Sequence, residues 1–225
     1  TLNCCLAYLP SHEAQHGNII KRGTRFFWVN ELVGYLSVLP LLTGYKLLKE
    51  THMLHHKYTN VPEKDPDIGT KSNGFFHSLW VCGVKLRQPN AGYGLQSDFY
   101  RENISSRAFK EHLVFFWFHW ILLAFLCLLG HGLIVIAIWW LPRLIGTAYL
   151  QITLSFLPHK PMEKVGRYRD TRGWKASTGT ILTQGMEYHI IHHLYPSIPL
   201  HKTPSAYRDM RHILEEKNCV LDGGI

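Results

Sequence analysis

Apolar and polar positions along this chain come in long blocks, with little of the strict alternation that marks strands. Residues 1–9, TLNCCLAYL, are apolar and read as the stump of a helix stopped at Pro10. Phe26 to Leu48 carry one charge, Glu31, before Lys46, and are long enough to enter a bilayer. Pro40 should kink or break that segment, because proline lacks an N–H and clashes with the preceding turn. Residues 57–110 are polar and turn-rich, with EKDPD at 63–67 and RQPNAGYG at 87–94, and predict loops with short helices. From Leu113 to Leu141 there is no Asp, Glu, Lys or Arg, and the apolar pattern resumes after Pro142 and Arg143 as far as Leu157. At about 1.5 Å per residue the block 113–157 makes roughly 68 Å of helix, about two bilayer crossings. The turn between them falls either at Gly130-His131-Gly132 or at Trp140-Leu141-Pro142-Arg143. Buried helices of a soluble protein seldom run so far without charge, so the pattern predicts an all-α, polytopic membrane bundle. The tail from Thr203 predicts a soluble amphipathic helix, SAYRDMRHILEEK, ending at Asn218.

Composition sharpens this. The chain has 225 residues, 46% hydrophobic and 18% charged, which excludes a disordered or acidic solvating protein. Its mean hydropathy of −0.06 looks soluble only because the average hides the apolar blocks. Five scattered cysteines without a CxxC exclude a disulfide framework and a cysteine zinc site. Net charge is +8, with a pI of about 9.3. Basic residues gather at Lys160, Lys164, Arg167, Arg169, Arg172 and Lys175, directly after a hydrophobic span. That placement reads as a cytoplasmic face under the positive-inside rule. No nucleic-acid fold motif accompanies it, so nucleic acid is discounted as a partner. The sequence opens on Thr1, which suggests a trimmed amino terminus and leaves a signal peptide beyond judgement.

The unusual count is 15 histidines against 16 acidic residues. Eight fall into three clusters: His12 and His16 as HxxxH, His52, His55 and His56 as HxxHH, and His189, His192 and His193 as HxxHH. On a helix, positions i, i+3 and i+4 share one face, so each cluster makes part of a metal claw. Two HxxHH boxes would arise by chance about once in several hundred such chains. Eight imidazoles exceed the needs of one ion and suit two ions with open positions. Imidazole serves Zn, Cu, Fe and Ni, so ligand type leaves the metal open. An H-E-x-x-H is absent, which disfavours a zincin protease. For all clusters to meet at one site, the segment 26–48 must dip into the membrane and return, or lie along its surface.

The order HxxxH, HxxHH, hydrophobic hairpin, HxxHH resembles the membrane fatty acid desaturase superfamily. THMLHHKYTNVPEKDPD at 51–67, FLPHKP at 156–161 and GMEYHIIHHLYPSIP at 185–199 resemble its bacterial branch, in which acyl desaturases and carotenoid β-ring hydroxylases are neighbours. The resemblance implies a single domain over 1–225, with the boxes on a cytoplasmic helical cap. Members usually carry a transmembrane pair before the first box, so the chain is expected to lack it. The resemblance further implies two Fe ions held by His12, His16, His52, His55, His56, His189, His192 and His193, and it adds His159 of LPHKP as a ninth ligand. Glu13, Asp65, Asp67 and Glu187 are candidates to orient the rings. No other catalytic residue is singled out. The remaining histidines read as helix or turn positions (His119, His131) and as loop or surface residues (His77, His112, His201, His212). The implied chemistry uses O2 and an external electron donor, a ferredoxin or b-type cytochrome docked on the basic segment, to oxidise an unactivated C–H bond of a lipid or carotenoid. Acyl desaturation is the leading reading, carotenoid β-ring hydroxylation the alternative, and a non-enzymatic membrane metal-binding protein the remote one.

Overall fold

The computed structural model describes residues 2–87, 98–175 and 180–221; the turn-rich 88–94 lies outside the described residues. Helices dominate, and among the described residues the only β-type pairing is an isolated bridge between Arg172 and Val220. The helices are α1 (Leu2–His16), α2 (Trp28–Val38), α3 (Tyr45–Tyr58), α4 (Phe75–Gly83), α5 (Asp98–Asn103), α6 (Ser106–Leu128), α7 (Gly132–Phe156), α8 (His189–Leu194) and α9 (Thr203–Glu216), with shorter helical turns between some of them. The chain falls into two compact units, one of Thr1–Met53 and Gly94–Tyr149, the other of Leu54–Tyr93 and Leu150–Ile225. The boundary between Met53 and Leu54 lies within α3.

In the first unit α1 does not stop at Pro10 but continues to His16, which corrects the sequence expectation. Proline forfeits one helical hydrogen bond, yet packing holds the turn: Ala14 is buried with Val38, Leu41 and Tyr45. Gly17, at φ +72°, ends the helix in the left-handed region that glycine tolerates best. Buried Asn30 then ties the following loop to α2, accepting from the Ile19 and Ile20 N–H groups and donating to the Ile20 and Phe27 carbonyls. Gly34 lies under the Tyr45 ring, which a Cβ there would strike.

The apolar segment 26–48 breaks as Pro40 predicts. With 11 residues, α2 is about 16 Å long, too short to cross a bilayer. Carbonyls freed at such a break need partners away from water. His119 of α6 meets the Leu39 carbonyl through Nε2 (2.8 Å), its Nδ1 meeting the Phe115 carbonyl (2.7 Å), and Trp139 Nε1 of α7 donates to the Pro40 carbonyl (3.1 Å). Glu111 of α6 adds a second tie: it accepts from Tyr35 Oη (2.7 Å) and the Lys46 N–H (3.1 Å) and pairs with Lys46 Nζ (3.3 Å). His112, expected as a loop or surface residue, is a half-buried residue of α6 because the helix starts before the uncharged run; its Nδ1 accepts from Gly44 N–H.

Two helices, α6 and α7, are long and apolar enough to cross a membrane. Both expose large side chains, such as Leu128 at 86% and Leu133 at 85%, where the core helix of a soluble protein would bury them. The turn falls at Gly130 (φ +82°), the first of the two sites expected. Pro142 does not break α7, because a π-helical stretch, Ile136–Trp140, widens the helix just before it.

In the second unit the short helices expected between 57 and 110 appear, α4 among them. A second π-helical stretch, Gln151–Phe156, ends α7 shortly before His159. Amphipathic α9 lies on α8, burying Tyr207 and Leu214 with Ile190, Ile191 and Leu194. Each such burial is worth about 1.5–3 kcal/mol, which fixes the short α8 and its histidines.

Candidate metal centre

Every histidine that the sequence nominates lands in one of two ring sets. In the first unit α1 supplies His12 and His16, one turn apart, and α3 supplies His52. Their ligand nitrogens lie within 4.8 Å of one another. His16 Nε2 and His52 Nε2 are 2.8 Å apart, and the His12 ring centroid lies 4.7 Å from that of His52. Burial, then the neighbouring His12 ring and the cations Arg22 and Lys49, lower the His16 pKa to about 3, which keeps that imidazole neutral.

In the second unit six rings gather. The ligand nitrogens of His55, His159 and His193 lie within 4.8 Å of one another. His55 and His56 come from α3, His189, His192 and His193 from α8, and His159 from the turn after α7. His56 Nε2 and His192 Nε2 are 3.0 Å apart, and His55 Nε2 and His159 Nε2 are 3.2 Å apart. The His189 ring lies 4.8 Å from His193 and 5.0 Å from His192.

The outer nitrogens explain why the inner ones converge. His55 Nδ1 donates to Asp65 Oδ1 (2.7 Å), and Asp65 is itself held by the Asn60 and Asp67 N–H groups. His159 Nδ1 donates to the Asp170 carbonyl (2.9 Å). Thr59 Oγ1 donates to the His55 carbonyl (2.7 Å), leaving its oxygen to accept from His193 Nδ1 (3.4 Å). An imidazole that donates through Nδ1 keeps a bare lone pair on Nε2. His193 Nε2 is buried and has no hydrogen-bond partner among the described residues.

Charge favours a cation here. Burial alone would lower the His55 pKa, but the carboxylates of Asp65 and Asp67 outweigh it and raise it to about 9, so the ring itself takes up the proton on Nε2 that a bound cation would displace. Burial and then His55 hold His159 at about 3, and burial followed by the surrounding imidazoles holds His193 well below its usual value. Asp65 stays below the usual carboxylate range despite burial, because His55 and two backbone N–H groups bind its charged form.

These donors fit a first-row metal ion. Two nitrogens bound at about 2.1 Å and about a right angle apart stand about 3 Å from each other, the spacing seen in the His16–His52, His56–His192 and His55–His159 pairs. Outward Nδ1–H groups on carboxylate and carbonyl acceptors are the usual support of metal-bound histidine.

Of the acids proposed to orient the rings, Asp65 does so. Asp67 Oδ2 stands 3.9 Å from His55 Nδ1, Glu13 Oε1 stands 3.7 Å from His12 Nδ1, and Glu187 accepts from Thr183 instead. Sequence reasoning missed Thr59 and the Asp170 carbonyl. Thr59 could have been found, since it follows His55 by one helical turn; a backbone acceptor leaves no mark in residue identity. His119 turns out to serve the break at Pro40, His131 lies at the turn as expected, and His77, His201 and His212 are exposed as expected.

A fatty acid conjugase of Calendula officinalis is 22% identical over 92% of this chain and 64% of its own length. An sn-1 oleoyl-lipid 12-desaturase of Picosynechococcus is 22% identical over 91% of the chain and 65% of its length. A dihydrorhizobitoxine desaturase of Bradyrhizobium elkanii is 29% identical over 85% of the chain and 61% of its length. The chain thus spans just under two thirds of the length of these relatives. No solved structure matches. The fatty acid desaturase family matches from residue 1 to residue 223, taking in both ring sets and the apolar hairpin between the HxxHH boxes, and the chain belongs to that family.

Proposed function

We propose that this chain forms the core of a membrane-bound, O2-dependent acyl desaturase that holds two iron ions. Its ligands are His12, His16 and His52 in one unit and His55, His56, His159, His189, His192 and His193 in the other. The observation that carries the reading is the convergence of the His55, His159 and His193 ligand nitrogens, each ring backed by an acceptor on its outer nitrogen. The iron supplies O2 activation. In the overall reaction a –CH2–CH2– unit loses two hydrogens and becomes –CH=CH–. O2 takes up those hydrogens, together with two electrons from an external donor and two protons, and leaves as two waters.

The chain's own residues position and shield. Asp65, the Asp170 carbonyl and Thr59 hold the rings by Nδ1, so that Nε2 faces the site. A cleft of about 440 Å³ lies against His56 and His193, and Lys57 and Arg167 stand on its lining. Its cations suit an acidic ferredoxin or b-type cytochrome. The basic segment from Lys160 to Lys175 supports a cytoplasmic position for these boxes.

The fatty acid conjugase and the oleoyl-lipid desaturase among the relatives favour acyl chains over carotenoid rings. Metal content and lipid products of the full-length protein test the reading, beside His192→Ala. Two irons per chain and new double bonds in acyl lipids are expected, both falling in the variant. One zinc or copper and unchanged lipids would favour a metal-binding protein without oxidative chemistry. Hydroxylated carotenoid in a carotene-producing host would favour the ring hydroxylase. Unimpaired oxidation by His192→Ala would remove His192 from the ligand set.

A further inference from the structure

A second cavity, of about 740 Å³, lies in the first unit and touches none of the nine histidines. Tyr35, Lys46, Ser106, Arg107, Lys110, Glu111, Val114, Phe115 and Phe118 line it. Six of these, from Arg107 to Phe118, follow one stripe of α6, recurring every three or four residues. The stripe changes character along its length. Its first turn is cationic, with Arg107 and Lys110 exposed; its remainder is apolar, with Val114 72% and Phe118 57% exposed. The change falls where the uncharged run of α6 begins, at Leu113.

Charge within the cavity is unbalanced. Glu111 is committed to Lys46 and to the Tyr35 hydroxyl. That leaves the Arg107 guanidinium and the Lys110 ammonium without a carboxylate among the lining residues. From Arg107 to Phe118 the stripe is about 16 Å long, close to half of the roughly 30 Å hydrocarbon thickness. The groove therefore offers two cations at the water boundary and one leaflet's depth of apolar wall below them.

We propose that this groove binds one anionic glycerophospholipid of the surrounding leaflet. Its phosphate sits between Arg107 and Lys110, and one acyl chain lies against Val114, Phe115 and Phe118. A zwitterionic lipid with the same chains brings no net charge to the two cations. A soluble phosphate brings charge but nothing for the apolar wall. Both halves of the ligand are needed.

The test uses the full chain in a neutral detergent, with native mass spectrometry counting bound lipids. Palmitoyl-oleoyl phosphatidylglycerol should bind at one site with an affinity about 30-fold above that of the phosphatidylcholine with the same chains, at about fivefold per cation near the headgroup. Arg107→Ala/Lys110→Ala should erase that preference, while Arg107→Lys/Lys110→Arg, which keeps the charges and controls for folding, should retain it. Val114→Trp, which fills the groove below intact cations, should weaken phosphatidylglycerol binding. Glycerol 3-phosphate should not compete. Equal binding of the two lipids, a preference that survives the double alanine variant, or displacement by glycerol 3-phosphate would overturn the proposal. None of these readouts uses iron or turnover, so they stand apart from the desaturase reading.

Discussion

The two ring sets offer the same donor type in different electrostatic settings. Around His16 the charged neighbours are Arg22 and Lys49, although Lys49 also pairs with Glu31. Around His55 they are Asp65 and Asp67, with Asp65 bonded directly to the ring. The first surroundings mix those cations with the Glu13 carboxylate, 3.7 Å from His12 Nδ1, so a doubly charged ion is favoured less there than by the second. Identical donors are therefore not equivalent sites: the set of His12, His16 and His52 should be the weaker holder of metal, the set around His55 the stronger.

The largest effect that bears on this contrast is loss of a proposed ligand from the stronger set. His159→Ala should lower product formation by more than about 100-fold and remove at least one iron per chain, measured by metal analysis beside lipid profiling; full iron content would break the contrast at its root. Asp65→Asn keeps the shape of the carboxylate but not its charge, and should cost about 10–100-fold in metal affinity or activity. Glu13→Gln, at the corresponding place beside His12, should cost no more than about threefold, since 3.7 Å is too long for a hydrogen bond. A chelator should strip the metal in two steps, the first leaving His16 and its partners. Arg22→Gln should narrow the gap between the steps several-fold, and a single-step release in the parent protein would refute the ranking. Smallest for the metal is His119→Leu. It should cost about 1–3 kcal/mol of stability in a thermal melt by leaving the Leu39 carbonyl unsatisfied, without changing the order of metal release.

How much of this could be read from residues alone differs between the two kinds of feature. The HxxHH boxes were legible because helical spacing fixes which side chains share a face, and the break at Pro40 because proline has one local consequence. Pro10 misled for a physical reason: in α1 the lost hydrogen bond is outweighed by packing of Ala14 against Val38 and Tyr45, which are distant in sequence. The turn at Gly130 stayed ambiguous because Pro142 competes with it, and nothing local announces the π-helical stretch that absorbs the proline. His159 needed its family context, since a lone histidine after a helix has no periodicity to mark it. The carbonyl of Asp170 had no residue signature at all.

The His119 and Trp139 contacts at the Pro40 break carry a mechanical consequence. Adjacent carbonyls, of Leu39 and Pro40, are gripped by neighbouring spans, α6 and α7. Sliding either span along the other by one helical step would release one of these grips into hydrocarbon. The break thus works as a dowel that sets the height of the hairpin, and with it the depth at which Arg107 and Lys110 stand.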